Sequence, residues 1–277
     1  MQIGLIESII YGFVSGITEF LPISSDAHQR ILMQMFGIEN RDPLMDLLVH
    51  AALLAAIFFS CRVLIGHLRR EQAISMRRSR SMRNSTTSIM DIRLIRQATL
   101  PMIIGIVLLS YITGSNQSLP ATVVLLLING IILFLSERMA QGNKSSISMS
   151  AFDSVLIGIF GSLSAFSGIS RIGCTFTVSI MRGAKRQHAL NWSVLLGIPA
   201  LGTLCALNAI TLFSQLSTVQ LWGNFFSYLF SVLAAFCGGC VGIRMLRFFV
   251  TRVSLSGYAF YSWGAAIFSF LIYLTVV

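Results

Sequence analysis

The sequence predicts an all-α integral membrane protein with six transmembrane helices plus two re-entrant helix-loop-helix hairpins, arranged as an inverted repeat. Three observations predict it. Only 11% of the 277 residues are charged while 55% are apolar, against roughly 25% charged in a soluble domain, and the mean hydropathy is +0.79. Six apolar runs are long enough to cross a hydrocarbon core about 30 Å thick. Two further runs of spanning length are broken near the middle by polar and helix-breaking residues.

The first broken run, residues 3–27, is interrupted at Thr18-Glu19-Phe-Leu-Pro22-Ile-Ser24-Ser25-Asp26. Irregular backbone at membrane depth persists only where protein or trapped water satisfies it, so the run reads as a re-entrant hairpin rather than a straight span. No basic residues precede its apolar stretch, which argues against a cleaved signal peptide. A span at 44–61 follows. Nine arginines then fall between Arg62 and Arg96, opposed by Glu71 and Asp91. Such a loop between apolar spans is what the positive-inside rule places in the cytoplasm, and a nucleic-acid partner is not expected. Spans at 94–112 and 119–135 complete the first half.

The second broken run, 154–180, is interrupted at Ser164-Ala-Phe-Ser167-Gly168-Ile-Ser170-Arg171-Ile-Gly173, and spans at 189–213, 225–249 and 258–276 follow. The breaks resemble each other: at an offset of 146, Phe20, Ile23 and Ser24 match Phe166, Ile169 and Ser170. The chain therefore reads as one polytopic domain, 1–277, with inverted halves at 1–140 and 150–277. With the arginine loop inside, the basic residues near positions 138–144, 182–186 and 244–252 fall on the same side, seventeen of the twenty in all. The opposite loops, 113–120 and 214–224, carry no charge, and both termini lie outside.

Odd numbers of spans in each half give the inverted architecture associated with midplane sites built from broken helices. An ionisable residue at membrane depth is functional by default. Arg171 is the sharpest case, because its planar fork of donors suits phosphate and Gly168 and Gly173 permit close backbone approach to an anion. The alternative is a brace in which Arg171 pairs with Glu19. Ser25 is a plausible nucleophile, with His28 one helical turn on as its base. Ser24 reads as a contact or as a helix cap. Glu19 is suited to holding a divalent cation, Mg2+ or Ca2+, against phosphate oxygens. His50 lies inside a span and faces either the site or the core, with packing the favoured reading; His67 and His188 read as solvated, and the Cys237-Gly-Gly-Cys240 segment as a close helix contact rather than a metal site.

At these residues the sequence resembles the bacterial undecaprenyl-pyrophosphate phosphatase family of the bacitracin-resistance type. One family motif, roughly E-G-x-T-E-F-L-P-x-S-S-T-G-H, is matched by residues 15–28, and a second, roughly P-G-x-S-R-S-G-x-T, by residues 167–175. Arg186, Ala189 and the segment 192–200 are also similar. The resemblance implies hydrolysis of a C55 polyprenyl diphosphate at the outer face of the cytoplasmic membrane, in cell-wall (peptidoglycan) synthesis. By position it implies Ser25 or His28 as the group that attacks phosphorus, Arg171 on the phosphate and Glu19 as a metal ligand, with Ser170 and Thr175 as lesser phosphate contacts; Ser24 and Gly173, read from their places in the breaks, are further expected substrate contacts.

Four positions depart from the motifs: Ser15 stands for a glutamate, Asp26-Ala27 for Thr-Gly, Ser167 for proline and Ile172 for serine. Loss of the carboxylate at 15 bears on the metal, which Asp26 is placed to help bind. The alternative function is a polyprenyl-phosphate flippase with weak or no hydrolysis. A type 2 phosphatidic acid phosphatase fits poorly, for want of its lysine-to-arginine-proline motif. The bilayer and a polyprenyl diphosphate are the expected partners, with a homodimer left open.

Overall fold

The computed structural model describes residues 4–38, 40–77, 87–114, 117–139, 142–214, 224–252 and 254–276. Within the arginine-rich stretch, Arg78, Arg80 and Arg83 lie outside the described residues.

Twelve α-helices form among the described residues. Helix α1 (Leu5–Phe20) ends because Leu21, held extended by Pro22, cannot continue it. Helix α2 (Ser25–Met35) starts after a four-residue break, capped by Ser24. Helix α3 (Pro43–Ser60) begins at an Asp42 cap, whose carboxylate accepts N–H bonds from Leu44 and Met45, with Pro43 in the first turn. Next come α4 (Arg62–Arg77), α5 (Thr87–Thr113) and α6 (Leu119–Glu137). The second half holds α7 (Ala151–Ser162), α8 (Arg171–Met181), α9 (Arg186–Leu195), α10 (Gly197–Ser214), α11 (Phe225–Arg252) and α12 (Ser256–Val276).

Six apolar segments have the length and composition to cross a membrane, at the six predicted places. The two broken runs form helix pairs: α1 packs on α2, and α7 on α8. Two elements differ from the sequence reading. The arginine loop begins as helix α4, because Ile65 and Leu68 bury on one side. The span predicted at 189–213 is divided between α9 and α10. Pro199 can donate no N–H to the last turn of α9, and Gly197 lets the chain pass where a Cβ would lie 2.8 Å from Ile57 and 3.0 Å from the Arg171 guanidinium.

Helix α11 packs along α1 and α3, α12 along α6, α5 along α7, and α10 along α3. The α1–α11 seam is made by glycines. A Cβ at Gly12 would sit 2.2 Å from the Ser231 carbonyl oxygen, one at Gly16 2.5 Å from that of Ala235, and one at Gly238 2.5 Å from that of Phe13. Such close approach supplies the dispersion contact that holds helices together in lipid. The Cys237–Cys240 segment is therefore a packing feature, as expected.

Candidate active site

The breaks between α1 and α2 and between α7 and α8 meet at one cavity of about 680 Å³. Asn129 of α6 joins them. Its side-chain Nδ2 donates to the Pro22 carbonyl at 3.0 Å and to Ser262, and its Oδ1 accepts the Ser170 N–H at 3.0 Å. The Ser170 hydroxyl donates to the Leu21 carbonyl at 3.3 Å. Ser24 closes the junction from the other side, accepting N–H bonds from Ala27 and, across the chain, from Gly168. Gln117, before α6, accepts the Ser167 N–H and donates to the Ala165 carbonyl, both at 2.8 Å. The irregular backbone of both breaks is thus satisfied by protein.

On the cavity wall stand Glu19, Ser24, Ser25, Asp26, Ser170 and Arg171. Arg171, only 5% exposed, opens α8 and directs its guanidinium at Glu19, with Nη2 to Oε1 at 3.0 Å and Nε to the same oxygen at 3.4 Å. Nη1 donates to the Ser193 carbonyl at 2.8 Å, which the α9–α10 junction brings into reach. Arg171 therefore braces Glu19, as the second of its two readings expects, and it also lines the cavity. The Ser25 hydroxyl donates to the Ser15 carbonyl at 3.3 Å and accepts from Gln29 Nε2 at 3.5 Å.

Three expected site residues stand off the wall. His28 does not meet Ser25, although the two share a helical face. Its Nδ1–H donates to the Ser24 carbonyl at 2.7 Å, which swings Nε2 outward to accept from the Tyr261 hydroxyl of α12 at 2.8 Å. Thr175 spends its hydroxyl on the Arg171 carbonyl within α8, and the Gly173 N–H is taken by Ser170 Oγ. His50, read as packing, lines the cavity and bonds Asn208 at 3.0 Å.

The two expected metal ligands are already engaged. Glu19 gives one oxygen to Arg171, and Asp26 gives one oxygen to Arg30 Nε at 3.1 Å and the other to Arg41 Nη2. Ser15 is buried, with its hydroxyl donating to the Tyr11 carbonyl and accepting from Gln29. Among the described residues no group of three or more His, Cys, Asp or Glu is placed to hold a metal. A cation here would have to be held by the second Glu19 oxygen, or by Asp26 released from its arginines, together with substrate oxygens.

Arg30, Arg41, Gln29, Gln117 and Asn129 line or build the site without having been singled out from sequence. A basic residue outside the basic loops was the one available signal, and it marks Arg30 and Arg41. The amides carry no such signal.

The profile of the bacitracin resistance protein BacA family matches residues 8–268. The chain belongs to this family. Its relatives include a Myxococcus xanthus protein named undecaprenyl-diphosphatase, 31% identical over 91% of this chain and 83% of its own. Another, from Halalkalibacterium halodurans, is named undecaprenyl-diphosphatase 2 and is 30% identical over 96% of this chain and 95% of its own. A third, the Alkaliphilus metalliredigens undecaprenyl-diphosphatase, is 29% identical over 93% and 94%.

Proposed function

We propose that this protein is a membrane phosphatase that hydrolyses undecaprenyl diphosphate to the monophosphate and inorganic phosphate, recycling the lipid carrier of cell-wall synthesis. The observation that carries this reading is one cavity, in a chain of the BacA family, lined by both Ser25 and Arg171. Arg171 grips the terminal phosphate with the N–H groups left beyond Glu19 and Ser193, and the N-terminus of α8 adds positive potential. Ser25 attacks phosphorus and displaces the lipid monophosphate, and water then releases phosphate from the serine. Glu19 bonds Arg171 through Oε1, which leaves its second oxygen as the proton acceptor on the wall.

The two helix pairs turn back within the membrane as re-entrant hairpins, and the halves are inverted. Supporting this, exchanging α1 with α7, α2 with α8, α3 with α10, α5 with α11 and α6 with α12 carries contacts onto contacts. The α1–α11 pair maps onto α7–α5 and α11–α3 onto α5–α10, while α6–α12 and α3–α10 map onto themselves. The cavity reaches Thr113, Gly114 and Gln117 beside the uncharged α5–α6 connection. The basic connections around Lys144 and Lys185 bond each other elsewhere, with Lys144 N–H to the Gly183 carbonyl at 2.9 Å and Lys185 N–H to the Lys144 carbonyl at 3.0 Å. By the positive-inside rule the cavity opens to the outer face of the cytoplasmic membrane.

Phosphate release from undecaprenyl diphosphate by the purified protein in detergent tests the reading. Arg171→Lys loses the bidentate fork, Ser25→Ala loses the nucleophile, and each should cost about 10²-fold or more in rate. Near-normal release by both variants would overturn the site, and no release by the wild type would overturn the function.

A further inference from the structure

Three of the twenty basic residues lie outside the basic loops: Arg30, Arg41 and Arg171. All three line the same cavity. Two of them have no part in the chemistry derived above. The side chains of Arg30 and Arg41 are only 13% and 16% exposed, and both are held by Asp26, the residue that follows Ser25.

Arg30 binds Asp26 Oδ2 through Nε at 3.1 Å and donates through Nη1 to the Gln117 carbonyl at 2.7 Å. Arg41 binds Asp26 Oδ1 through Nη2 and approaches Asp46 Oδ2 through Nη1 at 3.6 Å. Asp46 is itself fixed by the Tyr11 hydroxyl at 2.7 Å. Arg41 Nε is buried with no hydrogen-bond partner. Leaving a charged donor buried and unpaired is costly, and a brace that served only stability would satisfy it. The three lining arginines are matched by three lining carboxylates, Glu19, Asp26 and Asp46. A polyanion therefore enters a cavity of zero net side-chain charge and must compete with a carboxylate for its cations.

We propose that Arg30 and Arg41 form a second anion-binding pole, which takes the phosphate of a diphosphate that Arg171 does not hold, with Asp26 as the internal anion that phosphate displaces. The ligand class is a diphosphate, which has two separated anionic groups to span two poles, whereas inorganic phosphate has one. Before substrate arrives, Asp26 keeps both guanidinium groups ordered and neutralised in a setting where unpaired charge is expensive. Substrate phosphate then exchanges for the carboxylate and reaches the unpaired Arg41 Nε. The inference rests on the phosphatase reading for its substrate, but its test needs no hydrolysis.

The test is calorimetric titration of the purified protein in detergent with methylenediphosphonate, a non-hydrolysable diphosphate, and separately with inorganic phosphate. The wild type should prefer the diphosphonate. Arg30→Gln with Arg41→Gln should lower diphosphonate affinity on the order of tenfold or more, from lost charge-assisted bonds, while phosphate affinity holds. Asp26→Asn, which keeps the shape and removes the competing charge, should raise diphosphonate affinity several-fold, a gain that misfolding cannot imitate. Arg41→Lys should give an intermediate loss. An unchanged diphosphonate preference in the double variant, or weaker binding by Asp26→Asn, would overturn the second pole. Intact diphosphonate binding with no phosphate release from the lipid would overturn the phosphatase reading alone.

Discussion

Ser24 adopts φ +66, a left-handed conformation uncommon outside glycine, and its hydroxyl accepts the Ala27 and Gly168 N–H groups. Backbone held this way costs on the order of 1–3 kcal/mol and survives where surrounding bonds over-determine it. The capping role was legible from a serine ahead of a helix, and its bond to the second break was not. That Ser25 and Arg171 come to one cavity was legible because hydroxyls and charges at membrane depth stand out. The His28 pairing failed because helical spacing sets which residues share a face, whereas the bond to the Ser24 carbonyl sets where the ring points. Ser15 bears on the metal. It lies one helical turn from Glu19, beside Ser25 and Gln29, so Ser15→Glu would add a second carboxylate on that face. Titration of Mg2+ against phosphate release should then reach half-maximum at a lower concentration than in the wild type, provided size-exclusion shows the variant intact. An unchanged midpoint would mean that position 15 does not govern metal use.

The spanning helices were legible, since a membrane demands long apolar runs and satisfied backbone, whereas α4 at the start of the arginine loop was not. Helix interruptions were legible only where a polar residue accompanied the break. The α9–α10 junction, marked by Gly197 and Pro199 inside an apolar run, escaped notice, although it delivers the Ser193 carbonyl to Arg171. Glycines were readable as contacts, while which helix they touch was not. The α1–α11 seam makes this testable. A methyl at Gly12 would meet backbone, the Ser231 carbonyl oxygen at 2.2 Å, which cannot rotate away, whereas one at Gly264 of α12 meets nothing within 4 Å. Gly12→Ala should therefore cost about 1–3 kcal/mol through overpacking, and Gly264→Ala should be close to neutral. Thermal denaturation in detergent reads the difference, and equal melting temperatures would show that the seam does not depend on backbone contact.

At the scale of the whole molecule, charge and topology constrain each other. The seventeen loop basics would all lie on one face of the bilayer, while the remaining three line the cavity. A topology that put Arg62 to Arg96 outside would carry most of the cationic charge across the membrane and turn the cavity toward the cytoplasm, where a substrate presented at the outer face could not reach it. Single cysteines in a background with the five native cysteines replaced can decide between the two. Ser118→Cys, at the exposed start of α6, should react with an impermeant maleimide added to intact cells, because the α5–α6 connection carries no charge and borders the cavity. Ser81→Cys, in the arginine-rich connection, should react only after the membrane is opened. Rapid labelling of Ser81→Cys from outside, with protection of Ser118→Cys, would invert the molecule and move the proposed chemistry to the cytoplasmic face.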